Sequence, residues 1–417
     1  MNHRTQFRVS KKEHLPQLGK NSLATIEYAL RWSDDDVLYE DRYLARRVNV
    51  WRDIFPKGLE EKLSGCRVDD SICCDYGPGQ LVPPAREANV LRLPFEDFQQ
   101  RTISGRHVTT RLGRFYPQGM LRDILGVFPS TTTPFRIVEM DDHGFVADCN
   151  HPLARFPLTL EARVLRLEDK SGETGGRLSH WVEEFCNWGP GMQAHLPDTA
   201  TDFVDKEFFD RIDTAADASF YADPRIIGHV DSQASANLQA IYSRSLQPGM
   251  RVLDLMSSVE SHLPLEMDIV VTGLGLNGVE MSKNPRLSRY VVHDLNTDAT
   301  TLLQPSGYEA VVCSLSFEYL THPVAVLNNV HDLLVPGGVL LVGLSNRWFP
   351  TKVISGWVDL HEFERVGYVL DCMQRAGFTC KEAVSMRNDW RPPWDDHFVE
   401  TRGVSDPVYV VRAEKAA

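Results

Sequence analysis

The residues best suited to chemistry stand at the ends of five apolar segments in the second half of the chain. The first segment, RVLDLM, runs into Asp254-Leu255-Met256-Ser257-Ser258, and the second ends in Gly273-Leu274-Gly275-Leu276-Asn277. The third ends in His293-Asp294-Leu295-Asn296 and the fourth near Ser316, Phe317, Glu318 and Tyr319. The fifth follows Leu333-Leu334-Val335-Pro336-Gly337-Gly338 and ends in Ser345-Asn346-Arg347. Carboxylates, hydroxyls and amides grouped in this way can bind a polar ligand, and Arg347 can hold an acidic group by two parallel bonds. The plainer alternative is that Asn346 and Arg347 cap and tie down the next helix. No G-x-G-x-x-G follows the first segment, so a nicotinamide site is not expected, and Gly273 and Gly275 read as a turn. A later stretch, Asp389-Trp390-Arg391-Pro392-Pro393-Trp394-Asp395-Asp396-His397, holds three carboxylates and a histidine. It reads as a mobile lid or a surface loop, with a metal site as the rival. The eight cysteines form no C-x-x-C pair and have no histidine at zinc spacing, so they read as reduced thiols of a cytoplasmic protein, and no metal is expected.

The elements that must position these residues follow from the hydrophobic pattern. After Pro248-Gly249 the strands RVLDLM, DIVVTGLGL, RYVVHDL, YEAVVCSLS, GGVLLVGLS and PVYVVRA alternate with helical segments such as HPVAVLNNVHDLLV and LHEFERVGYVLDCMQRAG. Repeated strand–helix units imply a mostly parallel, doubly wound sheet, whose ligands lie beyond the carboxyl ends of the strands. Upstream, residues 203–246 carry helical spacing, as around Ile226, Ile227, Val230, Ala234 and Leu238.

Residues 37–169 instead hold short alternating runs, RFYPQGML, FRIVEMDD, FVADCN and LTLEARVLRLED, which argue for a mainly β domain. Residues 1–36, ending in Ser33-Asp34-Asp35-Asp36, read as a partly helical tail, and 170–202 as a glycine-rich linker. The 417 residues allow two or three domains. A composition 42% hydrophobic and 24% charged excludes a disordered or collagen-like chain. The net charge of −13 disfavours a nucleic-acid partner. No apolar run is long enough to span a bilayer, and the basic start, MNHRTQFRVSKKEHLPQLGK, lacks the apolar core of a secretory signal. Neither membrane nor nucleic acid is therefore expected as a partner.

Residues 203–413 resemble the class I S-adenosylmethionine-dependent methyltransferases of the type 11 kind. The resemblance rests on LLVPGGVLLV, on the acidic strand ends before it, and on SDPVYVVRAEK as a last antiparallel strand. It implies a Rossmann-like fold with S-adenosylmethionine as cofactor. Asp254 would orient the methionine end, Ser257 and Ser258 would bind its carboxylate, Asn277 the ribose hydroxyls, and Asp294 with the Leu295 amide the adenine. Ser316 would line the cofactor site, and Tyr221, in FYADPRIIGHVD, would close it. The glycine-rich turn usual after the first strand is absent here. Methyl transfer relies on alignment, and where the acceptor is protonated Glu318, Tyr319, Asn346 and Arg347 are candidates to assist. Trp348, Trp357, Trp390 and Trp394 would form either an aromatic acceptor wall or core.

Residues 48–168 resemble a SlyD-type FK506-binding prolyl isomerase, through GLEEKLSGCRVDDSICCDYGPGQ and FVADCNHPLARFPLTLEARVLRLED. Asp148, Asn150, His151, Pro152, Leu153 and Ala154 match the family's end-of-flap motif, with Arg155 in place of its glycine. Residues 87–147 occupy the place of the inserted flap, which in that family binds unfolded chains. The early hairpin with its proline-pocket aspartate is not recognisable in YLARRVNVWRDIFPKGLEEKL, where Asp53 is the nearest acid. His151 reads as a turn residue. The fold expected is thus α/β plus mainly β. The function expected is a methyltransferase acting on a small-molecule or peptide acceptor, with an FKBP-like accessory domain for docking or chaperoning a proline-containing or unfolded segment. The rivals are a prolyl isomerase or chaperone carrying an inactive methyltransferase-like domain, and a scaffold.

Overall fold

The computed structural model describes residues 17–34, 37–100, 107–170, 176–300, 303 and 307–417. The strands are β1 (Ser22–Asp34), β2 (Val37–Val48), β3 (Ser71–Tyr76), β4 (Val90–Pro94), β5 (Phe115–Pro117), β6 (Pro134–Met140), β7 (Gly144–Asp148) and β8 (Leu158–Asp169). They continue as β9 (Arg251–Leu255), β10 (Val270–Gly275), β11 (Leu287–Val292), β12 (Tyr308–Ser314), β13 (Leu334–Ser345), β14 (Thr379–Arg387) and β15 (Val408–Glu414). The helices are α1 (Leu59–Leu63), α2 (Trp181–Cys186), α3 (Asp217–Phe220), α4 (Ser232–Tyr242), α5 (Gly278–Lys283), α6 (Pro323–Leu333), α7 (Ser355–Asp359) and α8 (Glu362–Arg375).

Eleven strands form one sheet in the order β11-β10-β9-β12-β13-β15-β14-β2-β1-β8-β3. Its first part is the parallel sheet that strand–helix alternation implies. β9, β10, β11, β12 and β13 run parallel, and β15 enters antiparallel between β13 and β14. Central strands buried on both faces read as continuous apolar runs, and Val252, Leu253 and Leu255 of β9 are accordingly buried. Its second part is antiparallel and joins the first through parallel pairing of β2 with β14, from Leu38↔Glu382 to Tyr43↔Arg387. The buried Asp41 carboxylate accepts from Arg387 Nε at 2.9 Å, Arg387 Nη2 at 2.6 Å and Ser385 Oγ at 2.6 Å across this seam. A separate sheet, β4-β7-β6-β5, encloses Phe98, Tyr116, Phe135 and Phe145.

Three expectations change. Residues 22–34, assigned to a tail, are β1, and Asp34 pairs with Val37 of β2. Residues 1–16, 35 and 36 lie outside the described residues. The expected linker includes α2, whose Trp181, Phe185 and Cys186 are buried in the core, because Tyr28 of β1 packs on Trp181 and Phe185 at centroid distances of 6.2 and 5.0 Å. Finally, the helical spacing at 226–238 yields a helix only from Ser232. Asp231 caps it by accepting from Gln233 N and Ala234 N, while Ile226 and Ile227 beyond Pro224 are exposed. No helix among the described residues is long and apolar enough to cross a membrane.

Candidate functional site

A cavity of about 590 Å³ opens beyond the carboxyl ends of β9 to β13. Tyr221, Asp254, Ser257, Ser258, Asn277, Asp294, Leu295, Ser316, Tyr319, Asn346 and Arg347 all line it. Glu318 alone of the candidates stays outside. It lies on a short 3-10 turn with its carboxylate directed into the core, only 1% exposed, and with one oxygen lacking a hydrogen-bond partner. Burial pushes its pKa up to about 7.

The loop after β9 does without glycine. Met256 (φ 58°) and His262 (φ 52°) take left-handed backbone that side chains normally avoid, at a cost of roughly 1–3 kcal/mol each. The close approach is supplied by the neighbouring strand instead. A Cβ on Gly275 would lie 2.1 Å from the Ser257 carbonyl oxygen, and Ser257 N donates to Leu274 O at 2.8 Å. Gly273 and Gly275 are therefore strand residues making room for this loop, not a turn. Asp254 is 2% exposed and accepts from Ser257 Oγ at 2.5 Å and Ser261 Oγ at 2.6 Å. Burial raises its pKa to about 6, against the lowering effect of those hydroxyls.

Asn277 caps α5. Its Oδ1 accepts from Val279 N (2.9 Å) and Glu280 N (3.2 Å), and its Nδ2 donates to Tyr221 O (2.8 Å) and Ala222 O (3.4 Å). With four bonds made, the amide has used its whole capacity and fixes the 221–222 backbone over the cavity. The acid that faces the cavity here is Glu280, one turn on. It accepts from Ser258 Oγ at 2.6 Å and from Arg225 N at 2.7 Å and keeps lone pairs for more. Asp294 accepts from Asn296 N and Thr297 Oγ1, both at 3.0 Å. Asn296 Nδ2 joins Asp217 to the Tyr319 carbonyl, both at 2.8 Å. Asp217 is held further by Arg211 at 2.8 Å and the fully buried Lys352 at 3.2 Å, which pins the 211–221 strap over the site. Tyr319 OH accepts from Phe349 N at 2.8 Å.

Sequence reading missed Glu280, Asp217 and the pair Glu260 and His262, which also line the cavity, and gave Asn296 at the third strand end no role of its own. Glu280 carried a usable signal, being in phase with Asn277 on the first turn of α5; the others are joined only by tertiary packing. Of the four tryptophans, Trp348 lines the cavity beneath Arg365 (4.5 Å) and Trp357 is core. Trp390 lies under Arg46 (4.3 Å) and Trp394 is exposed. Asn346 and Arg347 are exposed on the rim, and α7 beyond them has no side-chain cap. The 389–397 loop is anchored by the buried Arg391, which pairs with Asp406 (2.5 Å), Asp395 (2.9 Å) and Asp231 (3.3 Å), and His397 reaches the cavity. No group of three or more metal-ligating side chains occurs among the described residues.

In the first half, Asp53 accepts from Asn49 N at 2.8 Å, Trp181 Nε1 at 3.1 Å and Ser179 N at 3.3 Å, so its carboxylate is committed to the chain itself. His151 Nδ1 accepts from Leu153 N at 3.1 Å, the local bond of a turn residue, and burial lowers its pKa to about 4. The β4–β7 insertion docks on α8 through Arg114 Nε and Phe115 N, which donate to Glu364 Oε1 at 2.8 and 3.0 Å.

No protein-family model matches the sequence, and no curated protein matches it. Solved structures do resemble part of the chain. The [4+2]-cyclase SpnF aligns at TM-score 0.36 and 15% identity over 48% of this chain and 92% of its own. An S-adenosylmethionine-dependent methyltransferase from Mesorhizobium loti aligns at TM-score 0.28 and 17% identity over 42% and 96%. Geranyl diphosphate methyltransferase in complex with S-adenosylmethionine aligns at TM-score 0.31 and 15% identity over 44% and 85%.

Proposed function

We propose that the second half of the chain is an S-adenosylmethionine-dependent methyltransferase. The observation that carries this reading is the convergence of polar residues from five successive strand ends on one cavity, where a doubly wound sheet binds its ligand. The donor set suits the cofactor. Asp294 and the Leu295 amide offer an acceptor and a donor for adenine. Glu280, rather than the saturated Asn277, offers carboxylate oxygens to ribose hydroxyls. Ser258 offers its backbone amide to the methionine end, while the Ser257 donors are already spent on Leu274 O and Asp254. Asp254, already bonded to two hydroxyls, shapes the loop that presents those serines. S-adenosylmethionine would supply the electrophilic methyl group; the chain aligns the acceptor and excludes water. On the acceptor side stand Tyr319, Asn346, Arg347, Trp348 and His397, and Arg347 suits an acidic acceptor group.

The first half is proposed as an FK506-binding-like accessory domain that docks a peptide or protein segment. The β1–β2 hairpin, the sheet inserted between β3 and β8, and the exposed Leu125 and Phe128 on that insertion support it. The commitment of Asp53 to Trp181 speaks against prolyl isomerisation at that point. The test is calorimetry with S-adenosylmethionine. Micromolar binding lost in Asp294→Ala supports the reading, and its absence in the unaltered chain refutes it.

A further inference from the structure

The loop that replaces the glycine-rich turn carries its own polar cluster, and the cofactor reading gives it no task. Glu260 and His262 both line the cavity, and Ser235 of α4 joins them from below. Ser235 Oγ donates to Glu260 Oε1 at 2.5 Å and lies 2.9 Å from His262 Nδ1. A serine hydroxyl has one proton. Since it goes to the carboxylate, the contact with the imidazole requires that Nδ1 carry the proton and donate to Oγ. In the neutral ring this leaves Nε2 as the acceptor, on a side chain only 3% exposed that lines the cavity. The second Glu260 oxygen is not engaged by Ser235. As a carboxylate, Glu260 is charged at neutral pH. Two acceptors, one anionic, thus share one end of the cavity, beside a loop held in strained backbone at His262.

We infer that this end of the cavity is an ammonium site, in which Glu260 and His262 Nε2 accept the α-amino group of the ligand's methionine moiety. The inference rests on the cofactor reading above and deepens it. Asp254, the acid expected at the methionine end, is spent on Ser257 and Ser261, and side chains further along the same loop take its place.

Calorimetry with S-adenosylhomocysteine and with its analogue lacking only the α-amino group tests this directly. The unaltered protein should bind the amino compound at least about tenfold more tightly, the usual scale of a charge-assisted hydrogen bond. Glu260→Gln should erase most of that preference and leave the affinity for the desamino analogue unchanged. His262→Asn, a residue that tolerates left-handed backbone, should weaken the preference similarly. If Glu260→Gln keeps the full preference, or the unaltered protein has none, the inference is overturned while the cofactor reading stands. If neither compound nor S-adenosylmethionine binds at all, both fall together.

Discussion

At the carboxyl ends of β9 to β13 a cavity of about 590 Å³ stays open, whereas the Tyr28 face of β1 is filled by Trp181 and Phe185 from α2. Both regions hold buried carboxylates, and the two treat them differently. Asp53 spends its oxygens on the chain, on Trp181 Nε1 and two backbone amides. Around the cavity some groups are likewise spent, such as Asn277 and Asp254, but these hold others in place, and Glu280, Glu260 and Asp294 keep acceptor capacity facing the opening. Buried polar groups must be satisfied. Where the protein satisfies them internally it builds structure; where it leaves capacity over a cavity, it leaves room for a ligand.

The comparison can be broken at its seam first. Arg387→Ala strands the Asp41 carboxylate in the interface between the two halves and should cost about 3–5 kcal/mol. Chemical denaturation should show one transition shifting as a whole, because β2 and β14 belong to one sheet; two separate transitions would show that the halves fold independently. Phe185→Ala should cost about 3–5 kcal/mol by the cavity it leaves, at the lower end if the site collapses. This substitution should leave ligand binding at the other end of the sheet unchanged.

Glu318 sharpens the contrast inside the cavity wall. Its folded pKa, about 7, lies above its ordinary 4.5, so the folded form keeps a proton that the unfolded chain releases between those values. The stability associated with that proton is fully present below pH 4.5 and is lost as pH rises to about 7. Glu318→Gln should remove this loss and gain on the order of 2–3 kcal/mol at pH 8 relative to the parent, with little difference at pH 4. Unfolding curves at the two pH values decide it; equal curves at both would contradict the buried, protonated placement. The smallest effect belongs to Arg46→Ala. It removes a cation from above Trp390 and a bond to Asn388, and should cost about 1 kcal/mol or less. Amide exchange should rise in the 389–403 loop.

Strand–helix alternation from Arg251 onward made the parallel sheet legible in the sequence, and the polar residues ending each run marked the cavity, since a strand's end is a local property. What escaped was tertiary. Ser22–Asp34 looked like a polar tail because Ser33 to Asp36 carry no apolar pattern, yet the alternation upstream of them belongs to a hairpin. Trp181 to Cys186 looked like a linker because the preceding residues are glycine-rich, but its aromatics fill the face of β1. Glu318 looked like a catalytic group because it ends a strand run; the 3-10 turn rotates it inward and exposes Tyr319 to the cavity instead. Glu260 and His262 are two residues apart in sequence and were invisible as a pair until Ser235 of α4 brought them together.

The most direct test is titration of S-adenosylmethionine, and separately of S-adenosylhomocysteine, into the purified full chain by calorimetry, beside Asp254→Ala and Asp294→Ala. The account predicts micromolar binding of both ligands to the unaltered protein and at least about a tenfold loss in each variant. No heat of binding with either ligand would contradict it, and would leave the cavity at the carboxyl ends of β9 to β13 without its proposed cofactor.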